Sequence, residues 1–313
     1  MHLLVTGGRS NLARSTVEML LAEGHRVSWL GPNIRPALPG RFHHLTQRHL
    51  PWRAIDFRGL DGLVHLAGPH PAAHLTTEDL RRTRDFERGL FARAADAGVD
   101  RVVFVGVVSN PRVRELPFVR LKWQTESLLR ESGLPATVFR VPWLYGPDDD
   151  FLTRLWRWVR NRSFLLVPGL SEAPVQLCSE RRLAEAILRA VDRTPSQLRI
   201  YEAATATPLP LGELIAQLGR IVRGEPAVPR AVGDRAAFHL RGPLRVVGLI
   251  PIRSPMWALL QGGMTCATAA WERDFDVQVQ SGPEAIVEFV REMDATASWW
   301  TRSVSLPRLA IPR

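Results

Sequence analysis

His2-Leu3-Leu4-Val5-Thr6-Gly7-Gly8-Arg9-Ser10-Asn11-Leu12-Ala13 opens the chain with an apolar, strand-like run, a glycine-bearing turn and the start of an amphipathic segment. A strand that turns tightly into a helix leaves free N–H groups and a positive dipole end at the turn, and glycine there lets backbone approach a pyrophosphate. Thr6, Gly7, Gly8, Arg9, Ser10, Asn11 and Leu12 are therefore candidates to hold a dinucleotide. Against a T-G-x-x-G-x-x-G template the second glycine is Ser10 and the third is Ala13. Ala13 still permits close packing of helix on strand, whereas Ser10 brings a Cβ to the place where phosphate approaches. Alone, the stretch equally describes a plain strand-to-helix turn.

Working outward, short β-branched runs alternate with amphipathic segments through the first two hundred residues, the pattern of a parallel sheet covered on both faces. Strands are predicted at His2–Thr6, Arg26–Leu30, Gly62–Ala67, Arg101–Val108 and Ala136–Val141. Helices are predicted at Asn11–Glu23, Thr77–Ala97 and Phe118–Glu131, stopped by Gly24, Gly98 and Gly133. Pro32–Asp61 is short and Pro-rich, so the crossover there is expected to be trimmed. After Tyr145-Gly146-Pro147 the character changes, with helices at Phe151–Arg160, Glu180–Val191, Leu211–Arg223, Trp257–Gln261 and Pro283–Met293 and strands at Phe164–Val167 and Arg199–Ala203.

The expected architecture is α/β, a Rossmann-like doubly wound parallel sheet with a smaller, mostly helical C-terminal substrate domain. Residues 1–147 form the sheet domain, with 174–203 returning to it, and residues 148–297 form the substrate-binding region. The basic, Pro-punctuated tail 298–313 is expected to be mobile or docked on a partner subunit of a homodimer.

Composition excludes several classes. At 45% apolar and 23% charged residues the chain is globular, and no apolar run approaches the roughly eighteen residues of a membrane span. No signal peptide is visible at the start, and Cys178 and Cys266 suggest neither a disulfide framework nor a thiolate metal site, so the cytoplasm is the expected compartment. Net charge is +10, but the arginines are scattered on helix faces beside acids, as with Arg181, Arg182 and Glu185 or Glu87 and Arg88, and no nucleic-acid motif accompanies them. Of 41 lysines and arginines only Lys122 is a lysine. A compact ammonium with a movable pKa differs from a guanidinium, so a lysine that survives in an arginine-only chain marks a site that needs it.

Asp61-Gly62-Leu63-Val64-His65-Leu66-Ala67-Gly68, Phe118-Val119-Arg120-Leu121-Lys122 with Glu126, Thr137-Val138-Phe139-Arg140-Val141-Pro142 and Tyr145-Gly146-Pro147 follow in this order. Together they resemble the extended branch of the short-chain dehydrogenase/reductase family. They match its D-x-V-x-H-L-A-A segment, its Y-x-x-x-K helix, its strand ending in Arg-Pro and its Y-G-P loop, over about residues 1–200. The resemblance implies a nicotinamide cofactor across the strand C-termini, with Leu66, Ala67, Gly68, Val141 and Pro142 along its path and Lys122 on the nicotinamide ribose. The family's tyrosine falls at Phe118, and its serine or threonine at Gly106-Val107-Val108, with Ser109 just beyond. This degenerate pattern is similar to atypical members of the family, the group around the complex I accessory subunit and the nitrogen-metabolite-repressor-like reductases. Leu177-Cys178-Ser179-Glu180-Arg181-Arg182-Leu183-Ala184 resembles a degraded H-V-D-D-V-A segment.

Cofactor choice turns on the end of the second strand, where an acid holds the 2′-hydroxyl of NAD and a base the 2′-phosphate of NADP. Leu30-Gly31-Pro32-Asn33 offers no carboxylate, while Arg9 and Arg35 are candidate phosphate partners, so NADP is favoured over NAD. His65, His70 and His74 flank the loop after the fourth strand. Pro69 and Pro71 break any helix that would align them on a metal, and no metal is expected. His65 reads as a buried strand residue bonded to backbone; His70 or His74 could replace the missing acid, and Lys122 and His70 are the catalytic candidates. Asp148-Asp149-Asp150 precedes Phe151 as a helix cap.

Three readings stay open: a reductase of an apolar, aromatic or polyketide-like small molecule; an inactive dinucleotide-binding sensor or structural subunit; and a non-redox isomerase or cyclase on the same scaffold.

Overall fold

The computed structural model describes residues 1–7, 11–31, 42–46, 55–71, 73–108, 110–147, 149, 151–161, 164–167, 171–231 and 254–303. The chain begins with β1 (His2–Thr6), α1 (Asn11–Ala22), β2 (Arg26–Gly31), β3 (Phe42–Thr46), β4 (Gly62–His65), α2 (Thr77–Asp96), β5 (Arg101–Val107), α3 (Pro117–Glu131) and β6 (Ala136–Val141). With β11 (Arg199–Glu202) these strands make one seven-stranded sheet in the order β3-β2-β1-β4-β5-β6-β11, with all pairs parallel. Parallel strands need a crossover between each pair and are buried on both faces, which is why β1, β4 and β5 read as near-continuous apolar runs. The order reverses between β1 and β4, so the connections leave those two strands in opposite directions and open a crevice at their carboxyl ends.

Local signals fix the helices. Thr76 and Asp79 close a reciprocal cap on α2, the Thr76 hydroxyl accepting from Asp79 N at 3.1 Å while the Asp79 carboxylate accepts from Thr76 N at 3.0 Å. Pro117 at the first turn starts α3. On one face of the sheet α1 and α5 (Glu180–Val191) bury Leu12, Val17, Leu20, Leu183 and Ile187 against Val5 and Val103. On the other, α2 and α3 bury Leu90, Phe91 and Leu129 against Leu4, Leu63 and Val138.

The remaining elements gather round a third core. β7 (Trp143–Tyr145) pairs with β10 (Leu177–Ser179), β8 (Phe164–Val167) with β13 (Val228–Ala231), and β9 (Pro174–Val175) with β12 (Leu209–Pro210). Among them pack α4 (Leu152–Asn161), α6 (Leu211–Arg223), α7 (Ser254–Gly262), α8 (Ala269–Phe275) and α9 (Gly282–Ser303). Phe151, Leu155, Ile215, Leu260 and Phe289 centre this cluster, and Val107 and Val119 tie it to the sheet. Trp271 and Phe275 of α8 instead pack on the α1–α5 face. No described helix is long and apolar enough to cross a membrane.

Several expectations change. The segment taken as a trimmed crossover holds β3, which extends the sheet beyond β2. The fourth strand ends at His65, two residues short of the expected Ala67, although Leu66 N still donates to Thr6 O at 2.9 Å. The tail expected from residue 298 is helical as far as Ser303, since no proline or glycine follows Pro283 before Pro307. Asp149 caps α4 as anticipated, accepting from Phe151 N at 3.0 Å and Thr153 N at 3.3 Å; Asp148 and Asp150 lie outside the described residues.

Candidate functional site

The β1–β4 crevice is built by contacts that only a glycine at position 7 allows. Gly7 has φ +103°, and a Cβ there would stand 2.8 Å from both Ala67 N and the Leu66 carbonyl carbon. The turn is anchored from β2, Gly7 N donating to Leu30 O at 2.9 Å and the Trp29 indole N–H donating to Gly7 O at 2.5 Å. Thr6 is fully buried, and its hydroxyl meets His65 Nδ1 at 2.7 Å and accepts from Ala67 N at 3.4 Å. Thr6, Gly7, Leu66 and Ala67 thus form one backbone-to-backbone floor. Asn11 and Leu12 begin α1 immediately after the turn, and the first turn of α1 has no acidic residue to repel an anion.

Lys122 reaches this floor from α3. Its Nζ donates to Val105 O at 3.0 Å and Ala67 O at 3.3 Å, and lies 5.1 Å from the centre of the Phe104 ring. A Cβ on Gly68 would sit 2.9 Å from Nζ, so glycine at 68 makes room for the amine. Two carbonyls occupy two of the three ammonium donors, leaving one for a ligand. Desolvation pushes the Lys122 pKa down to about 8, and the charge of Glu87 opposes that fall.

Neighbouring polar residues divide into paired and exposed sets. His65 is buried, but its partner is the Thr6 side chain rather than backbone; the ring stacks on Phe104 at 5.7 Å and meets Phe91 edge-on at 5.5 Å. His70 and His74 are both exposed on the loop after β4, where His70 O accepts from Ala73 N. Val141 and Pro142 are buried at the end of β6, and Val141 O accepts from Val108 N at 3.1 Å. Phe118 packs against the third core. The structure therefore brings Thr6, Gly7, Leu66, Ala67, Gly68 and Lys122 into direct contact, and sets Val141 and Pro142 at the end of a strand two places from β4. Gly8, Arg9, Ser10, Arg35 and Ser109 lie outside the described residues.

Sequence reasoning missed Glu87, paired there with Arg88 on a solvated face. Glu87 is 2% exposed; it accepts the Thr125 hydroxyl at 2.7 Å and lies 3.5 Å from His65 Nε2. The signal was available: Leu80, Glu87 and Ala94 recur at seven-residue spacing on the apolar line of α2. Arg182 likewise leaves Glu185 for Glu288, at 3.2 Å. Glu126 is held by two arginines, Arg140 by a two-pronged contact at 2.7 and 2.9 Å and Arg130 at 3.1 Å, and Arg140 also stacks on Trp123. Among the described residues no group of three or more His, Cys, Asp and Glu side chains converges as a metal site would require.

No protein-family model matches the chain. Two curated relatives are both named Photosystem II assembly factor Ycf39. The one from Cyanophora paradoxa is 26% identical over 151 residues, 45% of this chain and 45% of the relative. The one from Guillardia theta is 29% identical over 157 residues, 45% of this chain and 46% of the relative, so the chain spans less than half the length of the curated relatives it matches. Among solved structures, the Citrobacter sp. triphenylmethane reductase complexed with NADP(H) is similar with a TM-score of 0.71 at 17% identity, covering 92% of this chain and all of that one. The Thermotoga maritima UDP-glucose 4-epimerase with UDP-glucose has a TM-score of 0.69 at 16% identity, covering 95% and 100%. MoeE5 in complex with UDP-glucose and NAD has a TM-score of 0.61 at 18% identity, covering 88% and 99%. At these identities the likeness is one of fold, the Rossmann-like α/β architecture read from the strand order.

Proposed function

We propose that this chain binds a nicotinamide dinucleotide in the β1–β4 crevice and uses it to reduce an apolar small molecule, with Lys122 in place of the usual tyrosine. The observation that carries the reading is the single lysine of the chain, drawn across the sheet's carboxyl edge onto the carbonyls of Ala67 and Val105 beside the Gly7 turn. The residues fit such a group: the turn is kept free of side-chain bulk at Gly7, α1 starts behind it without an acid, and Gly68 leaves the amine clear. Solved neighbours of the same fold carry NADP(H) or NAD. The end of β2 at Leu30-Gly31 has no carboxylate, which favours NADP.

Thr6 to Leu12 would hold the pyrophosphate, Leu66 to Gly68 with Val141 and Pro142 the nicotinamide side, and Arg9 and Arg35 the 2′-phosphate. A nicotinamide bound there would supply the hydride. Lys122 Nζ holds a proton at neutral pH and, with a midpoint near 8, is an acid strong enough to release it to an oxygen or carbon centre that has just gained negative charge. His70, exposed on the neighbouring loop, is the second candidate proton donor. The third core, rich in Trp, Met and Leu, supports an apolar substrate.

The test is oxidation of NADPH, followed at 340 nm over a panel of apolar carbonyl and quinone compounds, whose reduction takes up a proton as well as a hydride. Turnover is expected to fall as pH rises through about 8, when Lys122 loses its proton, and Lys122→Arg should abolish it, because a guanidinium does not give up a proton in this range. Unchanged turnover in Lys122→Arg removes lysine from the reaction.

A second reading is supported by the curated relatives, which are named as assembly factors, and by Phe118, which has no ionisable group. In it the chain binds the dinucleotide as a structural subunit. Tight NADPH binding with no hydride exchange across the panel, and a stable partner recovered with the protein, would favour it.

A further inference from the structure

Behind Lys122 lies a set of buried polar groups, most of which the proposed reaction does not use. Glu87 enters it from α2, Thr125 from α3, His65 from β4 and Thr6 from β1, and all four are nearly or fully buried. Thr125 follows Lys122 by three residues and so shares its face of α3. The Phe104 ring links the two groups, with Lys122 Nζ 5.1 Å from its centre and the His65 ring stacked on it at 5.7 Å. His65 Nε2 is buried and has no hydrogen-bond partner among the described residues; it points to Glu87 Oε1 at 3.5 Å.

A carboxylate in apolar surroundings is costly unless donors or a cation match it. Arg130 on α3 and Arg140 on β6 are both taken by Glu126, and the contacts of Glu87 run to Thr125 and His65. On the elements packed about Lys122, His65 on β4 contacts Glu87, and Glu126 on the same helix is already matched by Arg130 and Arg140. Glu87 is therefore the acidic group left to answer the amine.

We infer that Glu87, held by the Thr125 hydroxyl and faced by His65, is the buried counter-charge of Lys122, a positioning residue that keeps the ammonium charged at the sheet edge and sets how readily it gives up its proton. The contact with the reaction runs only through Lys122. Its use in catalysis rests on the function proposed above; the electrostatic link itself does not. The downward pull of burial on Lys122 and the upward pull of Glu87 agree with this arrangement.

Because Lys122 is the only lysine, protein grown with ε-carbon-labelled lysine gives one side-chain NMR signal, and its pH titration reads the Lys122 midpoint without cofactor or substrate. Glu87→Gln should lower that midpoint by about one pH unit, the shift expected on loss of a nearby opposite charge. Glu87→Asp, which keeps the charge, should restore most of it, a rescue that a purely structural role would not produce. An unchanged midpoint in Glu87→Gln overturns the inference. Should Glu87→Gln fail to fold, Thr125→Val removes the hydroxyl that holds the carboxylate in place and should move the midpoint in the same direction; no movement there overturns it equally. The titration is blind to dinucleotide binding, so a chain that neither binds nor oxidises NADPH would sink the proposed function and leave this result standing.

Discussion

Lys122 shows how a buried setting changes the chemistry of one residue. Its neighbours supply carbonyl acceptors rather than carboxylates, so the amine is oriented without being locked into a salt bridge, and burial makes it a better acid than a surface lysine. Gly7 is the other indispensable residue. Alanine there has to hold φ near +103° and also push a Cβ into backbone atoms at 2.8 Å, whereas at Gly133 (φ +70°) nothing lies within 4 Å of the added methyl. Gly133→Ala should accordingly cost about 1 kcal/mol, the conformational part alone, and Gly7→Ala clearly more, about 2–4 kcal/mol, because the floor under Lys122 must move as well. Urea unfolding of the two variants measures the difference; equal losses would mean that the close approach of Gly7 to Leu66 and Ala67 contributes nothing.

At the scale of elements, the sheet was legible wherever strands are buried on both faces. The bounds of β1 and β6 follow from the apolar runs themselves, and α5 and α6 from their periodicity. β3 was not legible: Phe42-His43-His44-Leu45-Thr46 is short, lies between Pro-rich flanks and carries two histidines, so neither alternation nor length marks it. The two- and three-residue strands β7, β9, β10 and β12 have no periodicity to read and exist through pairing with distant segments. The site divides the same way. Gly7 and Lys122 announce themselves through spacing and rarity, whereas His65 and Glu87 could be assigned surroundings only once α2 was laid against β4. A glutamate beside an arginine reads as a solvated pair, and it takes the α2–α3 packing to turn its carboxylate toward Thr125 instead.

For the molecule as a whole, the buried titratable groups determine how stability responds to alkali. Burial pushes the Cys178 thiol well up and Cys266 to about 12, while unfolded thiols ionise near about 8.5. Above that pH the folded chain holds more protons than the unfolded one, so stability falls as pH rises. Lys122 acts in the opposite sense: the fold releases its proton at about 8 and the unfolded chain near about 10.4, so between those values it adds stability with rising pH. Two thiols outweigh one amine, and the raised Tyr145 hydroxyl joins them above about pH 10. The urea midpoint is therefore expected to fall from pH 8 to pH 10 in the unaltered chain and to rise over that range in Cys178→Ala/Cys266→Ala, where Lys122 acts without the thiols; an unaltered chain whose midpoint climbs contradicts the assignment.

A dinucleotide bound at the reversal of the strand order, against the chain's one lysine, is the claim on which the rest depends. Its most direct test is the Lys122 ε-carbon signal of the labelled protein, followed as NADPH and then NADH are added at pH 7. The account predicts a saturable shift of that single resonance at sub-millimolar NADPH, with a weaker response to NADH. A resonance that stays where it is at several millimolar of both, in protein shown to be folded, would contradict it.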